Sequence, residues 1–245
     1  MGLVLLPIFM THFYLTIDDG PSNDTINKLE LFEKHKILAI WFCLGQNLEK
    51  YQEVVLKLIQ KGHIIANHSH NHPFFSHISF NECEKQIIQT EKIIDDLYNK
   101  AGIQRPIKLF RFPYGEQGHF KNGKPSLNAE KLAHKEKLHE LLKYLGFHAA
   151  PISEVEYKGI YSNQSGDIDW LWSYDIQEWA IGNTEGYQIT FDQMINNLGR
   201  YLKSFNKERD QIILTHDHGH NAKYFKSIME MFFDKNIKFN LPNFK

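Results

Sequence analysis

A chain of 245 residues with 28 Lys and Arg against 29 Asp and Glu has a formal net charge of -1 and a pI near 6.9. That balance carries no electrostatic footprint for nucleic acid or for an anionic membrane surface. The length fits one α/β barrel or two small domains, and no stretch has the composition of a linker. The 14 histidines stand out, because histidine is the usual metal ligand and the usual proton carrier near neutral pH.

The apolar start "MGLVLLPIFM" is short and has no Lys or Arg before it, so it lacks the basic region of a complete secretory signal, and no later run reaches spanning length. Taken as given, the sequence carries no address and reads as cytoplasmic, and the compartment stays open. The cell envelope or periplasm becomes the alternative if Gly2 to Met10 is the remnant of a leader. In "YLTIDDGPS", Tyr14 to Ile17 reads as a strand and Asp18 to Ser22 as the loop that ends it, since Asp and Gly favour turns. Ile26 to Ile37 then carries helical spacing, followed by the buried strand "ILAIWFCLG" and the amphipathic helix "YQEVVLKLIQKG", closed by Gly62. "HIIANHSHNHP" reads as a short strand running into a histidine loop. A helix from about Phe80 to Tyr98, the strand "IKLFRFPYG" and a helix over about 128–145 come next. "WLWSYDIQEW", a helix over about 191–205, the strand "QIILTH" and a last helix from Tyr224 to Lys235 complete the chain. Cys43 and Cys83 match no zinc spacing and no disulfide framework, and they read as small packed hydrophobes.

Repeated strand and helix units predict a parallel sheet flanked by helices, in one domain over 1–245, and about seven strands suggest a closed or distorted (β/α) barrel. Asp18 and Asp19, His68 to His72, Arg111 to Gly115, Asp175 to Trp179 and His216 all follow predicted strands. In such a fold those ends gather on one face, where catalytic groups collect. His68 and His72, four apart, can aim two imidazoles at one point, with Asp19 as a third ligand and water in the open position. Zinc is the expected ion, and iron or cobalt also suits two histidines and a carboxylate. His63 and His70 read instead as packed or solvated.

These residues carry a family resemblance. In order, "LTIDDGPSNDT", "FCLGQN", "GHIIANHSHNHP", "FRFPYG", "DIQEW" and "ILTH" resemble the polysaccharide deacetylases of the NodB-homology type, carbohydrate esterase family 4, over about Phe13 to Phe233. The resemblance implies a distorted (β/α) barrel and a metal-dependent deacetylase acting on N-acetylated glycans such as peptidoglycan, chitin oligomers or exopolysaccharide. It implies Asp19, His68 and His72 as metal ligands, Asp18 as the general base for the attacking water, and Arg111 as the partner that keeps Asp18 ionised and oriented. It further implies that Pro113 fixes a loop whose Tyr114 N–H helps stabilise the oxyanion, that His216 is the general acid, and that Trp179 and Leu214 line the acetyl pocket.

Ile17 stands where the family usually has Phe, and Glu178 where it usually has Asp. The extra methylene lets Glu178 still reach Arg111 but would shift that salt-bridge network, which makes Glu178 the weaker assignment. The connections at about 116–128 and 151–172 are longer than a minimal barrel needs. Their aromatics Phe120, Tyr161, Trp170 and Trp172 either stack on sugar rings or cover the core, and Asp167 and Asp169 read as solvated acids. Two further functions fit the same scaffold: hydrolysis of a cyclic amide or imide, and glycan binding without catalysis.

Overall fold

A computed structural model of the chain describes residues 11–152, 155, 168–184 and 186–244. The leader-like start and the loop residues Tyr161 and Asp167 lie outside them. Strands β1 (Phe13–Asp18), β2 (Ala39–Cys43) and β3 (Ile64–Asn67) alternate with helices α1 (Thr25–His35), α2 (Gly45–Lys50) and α3 (Gln52–Gln60). Then follow α4 (Phe80–Ala101), a hairpin of β4 (Phe120–Lys121) and β5 (Lys124–Pro125), and α5 (Ala129–Tyr144). The chain ends with β6 (Tyr174–Asp175), α6 (Phe191–Ser204), β7 (Gln211–His216) and α7 (Ala222–Phe233).

The main sheet has five strands in the order β3-β2-β1-β7-β6, and every pairing in it is parallel. Among the described residues the parallel sheet therefore holds five strands rather than about seven, and β4 and β5 stand apart as an antiparallel hairpin. "IKLFRFPYG" runs beside β3 but makes a single bridge, Asn67 with Phe110, because Pro106 and Pro113 bracket it and the Phe112 N–H goes to the Asp169 carboxylate. "WLWSYDIQEW" contributes two strand residues before Gln177, at φ 65°, turns the backbone away.

Side chains alternate across the sheet, and the two faces differ in chemistry. One face presents Phe13, Leu15 and Ile17 of β1 with Trp41 of β2 to a core closed by Phe32 of α1, Leu58 of α3, Leu198 of α6 and Phe232 of α7. On the other face Ile40, Phe42, Ile64 and Ala66 pack with Leu109 and Trp170. Burying each such side chain stabilises by about 1.5–3 kcal/mol, which holds the layers in register. Phe110 and Phe112 join Phe75, Ile87 and Leu142 in a third cluster between α4 and α5. Trp170, fully buried, and Phe120 are thus core residues and not sugar platforms. Asp169 is also buried, accepting hydrogen bonds from the Phe112 N–H and the Gln117 amide, so it is not a solvated acid. Cys43 and Cys83 are buried and unpaired. His63 is packed in the core, its Nδ1 accepting from the Ala39 N–H at 3.1 Å.

Helix ends follow local rules. Ser79 caps α4 by accepting from the Glu82 N–H, Gly102 closes it in the left-handed region, and Thr190 with Gln193 forms a capping box on α6. Among the described residues no helix is long and apolar enough to cross a membrane.

Candidate active site

Register brings the strand ends level. Asp18 pairs with Phe42 on one side and His216 on the other, while Asp175 pairs with Leu214. At that end a cavity of about 790 Å³ opens, lined by Asp18, Asp19, His68, His72, Tyr114, Trp179, Leu214 and His216 among others.

Asp18 leaves β1 on the same face as Thr16, and beneath it lies Arg111, fully buried. The guanidinium donates to Asp18 Oδ1 at 2.7 Å and to Thr16 Oγ1 at 3.0 Å. It also donates through Nε to the Trp170 carbonyl and lies 4.2 Å from the Phe42 ring centre. A buried guanidinium so fully bonded holds the carboxylate in one orientation. The other Asp18 oxygen faces His68 Nε2 at 3.6 Å.

Asp19 adopts φ 68°, in the left-handed region, and Asn47 donates to its carbonyl at 2.7 Å. Its Oδ1 lies 3.2 Å from His72 Nε2 and 3.6 Å from His68 Nε2. That oxygen is buried with no hydrogen bond. His68 Nδ1 sits 2.7 Å from the Arg111 carbonyl, which can only accept, so Nδ1 carries the proton and Nε2 presents a lone pair to the site. Burial opposes ionisation of Asp19, yet the His218 hydrogen bond and the charges of His72, His68 and His216 outweigh it and hold the carboxyl well below the usual range. Burial pushes His72 down to about 4, favouring a neutral imidazole. An ionised oxygen without a donor, flanked by the His68 and His72 rings and with one ligand atom of each within 4.8 Å of the others, fits a divalent cation.

Asp175, Glu178 and His216 form a second group of the same compactness. Glu178 does not reach toward Arg111 as the sequence suggests. Its Oε1 accepts from Thr215 Oγ1 at 2.7 Å and from the His216 N–H, and lies 3.3 Å from His216 Nδ1. Burial opposes a charge on His216, but Glu178 above all, then Asp175 and Asp19, raise its pKa to about 10. Its imidazole is therefore cationic at neutral pH and can give up a proton. Asp175, pushed up to about 6 mainly by burial, accepts from the Gln177 N–H and from the Trp179 indole N–H.

Tyr114 sits in a tight turn with Pro113 and Gly115 at φ 61°, and its ring stacks on Phe74 at 3.8 Å. Pro113 is buried under that turn and is not among the cavity-lining residues. Leu214 and Trp179 line the cavity beside His216, and Trp172 alone of the loop aromatics named from sequence faces it among the described residues. His70 lies to one side, 3.2 Å from the Gln89 amide. Sequence spacing misses the cavity-lining residues His218, Asp217 and, on α2, Asn47 and Lys50, although the run "THDHGH" is a visible signal for the first two.

Residues 11–132 match the family model of polysaccharide deacetylases. A stretch of 103 residues is 38% identical to the peptidoglycan-N-acetylglucosamine deacetylase of Bacillus cereus, covering 42% of this chain and 36% of that one. Another of 102 residues is 38% identical to the peptidoglycan-N-acetylmuramic acid deacetylase PdaC of Bacillus subtilis, covering 41% of this chain and 21% of that one. The match thus spans about a third or less of these relatives' lengths. A family 4 carbohydrate esterase from Streptomyces lividans, solved in complex with acetate, shares the fold with a TM-score of 0.60 at 21% identity, over 96% of this chain and 94% of that one.

Proposed function

We propose, for a chain that belongs to the polysaccharide deacetylase family, that it hydrolyses the acetamide of an N-acetylated glycan to acetate and a free amino sugar. The observation that carries this reading is the unsatisfied Asp19 Oδ1 between His68 and His72, a cation cradle beside a carboxylate held by Arg111. Peptidoglycan, chitin oligomers and exopolysaccharide are the candidate polymers, and the two bacterial relatives favour peptidoglycan.

Asp19, His68 and His72 are the residues that would hold the ion, and zinc suits this donor set. When bound, a divalent cation supplies Lewis acidity, polarising a carbonyl and lowering the pKa of water from about 15.7 to about 7. Asp18 takes the proton of the attacking water through the carboxylate oxygen that Arg111 leaves free. The Tyr114 N–H contributes to the developing oxyanion, from a turn that Pro113 starts. His216, kept cationic by Glu178, protonates the departing nitrogen, and Leu214 with Trp179 receives the acetyl group. A non-catalytic binder has no physical need for a base, an acid and a cation cradle in one cavity.

Acetate release from N-acetylglucosamine oligomers and from peptidoglycan, using chelator-stripped and zinc-restored protein, tests this reading. Asp18→Asn should retain zinc while turnover falls by about 10²–10⁴-fold, and His68→Ala should lose both. Turnover of Asp18→Asn at the parent rate, or acetate release indifferent to chelation, would sink it.

A further inference from the structure

The Asp19 carboxylate has two oxygens with different surroundings. Oδ1 faces His68 and His72, whereas Oδ2, turned away from them, lies 3.1 Å from Nε2 of His218. We propose that His218 is a positioning residue for the metal ligand Asp19, donating from Nε2 to Oδ2 and so locking the carboxylate with Oδ1 toward the cation. This inference rests on the metal-dependent reading of the site.

The rotation of an aspartate carboxylate about its last torsion is soft, so an Asp ligand needs an outer partner to present one oxygen reproducibly. The backbone of Asp19 is already pinned by Asn47, but that contact leaves the carboxylate free to turn. The His218 ring stands against the outward oxygen, with its Nε2 at 3.1 Å. Its own place is set twice over. The Asp217 N–H donates to the Asp18 carbonyl at 2.9 Å, extending the β1 and β7 alignment by one step. A Cβ on Gly219 would come within 2.7 Å of Asn23 Oδ1, so the loop carrying His218 lies directly against the loop carrying Asp19. The ring also makes stacked contacts with His216, at 5.8 Å and 9°, and with His220, at 5.3 Å and 26°. Contacts with two neighbouring rings restrict the imidazole, and its Nε2 lies against the oxygen turned away from His68 and His72.

The test compares parent, His218→Ala, His218→Gln and His68→Ala. Zinc affinity is read by competition with a chromophoric chelator, the visible absorption of the Co²⁺-loaded protein reports ligand geometry, and thermal unfolding is followed without metal. His218→Ala should bind zinc about 10–100-fold more weakly and alter the Co²⁺ spectrum. His218→Gln, whose amide N–H can still donate to Oδ2, should recover most of the affinity and the parent spectrum. Metal-free parent, His218→Ala and His218→Gln should unfold at the same temperature. Parent-like zinc binding by His218→Ala overturns the proposal. So does a loss shared equally by Ala and Gln that follows a lowered metal-free unfolding temperature. If the parent binds no zinc that His68→Ala removes, the metal-dependent reading itself fails and this inference falls with it.

Discussion

Asp18 and Asp19 are neighbours, yet both face one cavity, although successive residues of a strand point to opposite faces. The left-handed backbone at Asp19 resolves this by ending β1 and swinging the second carboxylate back over the first. His72, at φ 62°, uses the same device to return its ring toward His68 after four residues. At this scale the acid is set by its partner. Burial alone would lower the His216 pKa, and the Glu178 hydrogen bond and charge reverse that to about 10. Under the proposed mechanism the imidazolium is the donor, so activity should persist on the alkaline side until His216 deprotonates. Glu178→Gln removes the charge that raises the pKa, so the basic limb of the kcat against pH profile should move to lower pH while the acidic limb stays. A cation at Asp19 pushes His216 the same way in parent and variant, so the difference between them reads Glu178. An unmoved basic limb would assign the His216 charge to another group.

Strand ends and the loops that follow them carry the site, and two of those loops are held by a buried clamp. Lys28 on α1, almost fully buried, lies 2.7 Å from Asp217 after β7 and 2.8 Å from Asp24. Asp217 also accepts from the Ser22 N–H, the Ser22 hydroxyl and the Thr25 hydroxyl, so one carboxylate ties the loop of the base to the loop of the acid. Asp217→Asn leaves the Lys28 charge buried against one partner, and breaking a buried pair this way costs about 3–5 kcal/mol. Urea unfolding should show a lowered midpoint, partly restored in a Lys28→Met, Asp217→Asn double variant; an unchanged single variant would make the clamp incidental. Elements with strong internal signals were legible in sequence: α4, α5 and α6 from their periodicity and caps, β1, β2 and β7 from apolar runs between turn residues. The stretches at 107–115 and 170–179 carry equally apolar patterns and still form a bridge and a two-residue strand. Strand formation there depends on which neighbour takes each N–H, and Asp169 takes that of Phe112.

For the whole molecule, the cation cradle joins the end of β1 to the loop after β3, and His218 adds the loop after β7. A ligand of the native state that unfolding would scatter stabilises globally, by about 2.7 kcal/mol at 100 times its dissociation constant. Zinc should therefore raise the thermal midpoint by several degrees, chelator should reverse the rise, and His68→Ala should show no shift; a parent indifferent to zinc would remove the cation from the site. By itself the sequence determined the α/β class and which residue types stand at the strand ends, because turn formers, periodic apolar faces and rare pairings of Asp and His are local properties of the chain. Tertiary structure alone decided that Glu178 serves His216, that Asp169 and Trp170 are interior, that five strands form the sheet, and that His218 meets Asp19. Those are contacts between residues tens to hundreds of positions apart, and their partners follow from strand order and packing, which no local spacing encodes.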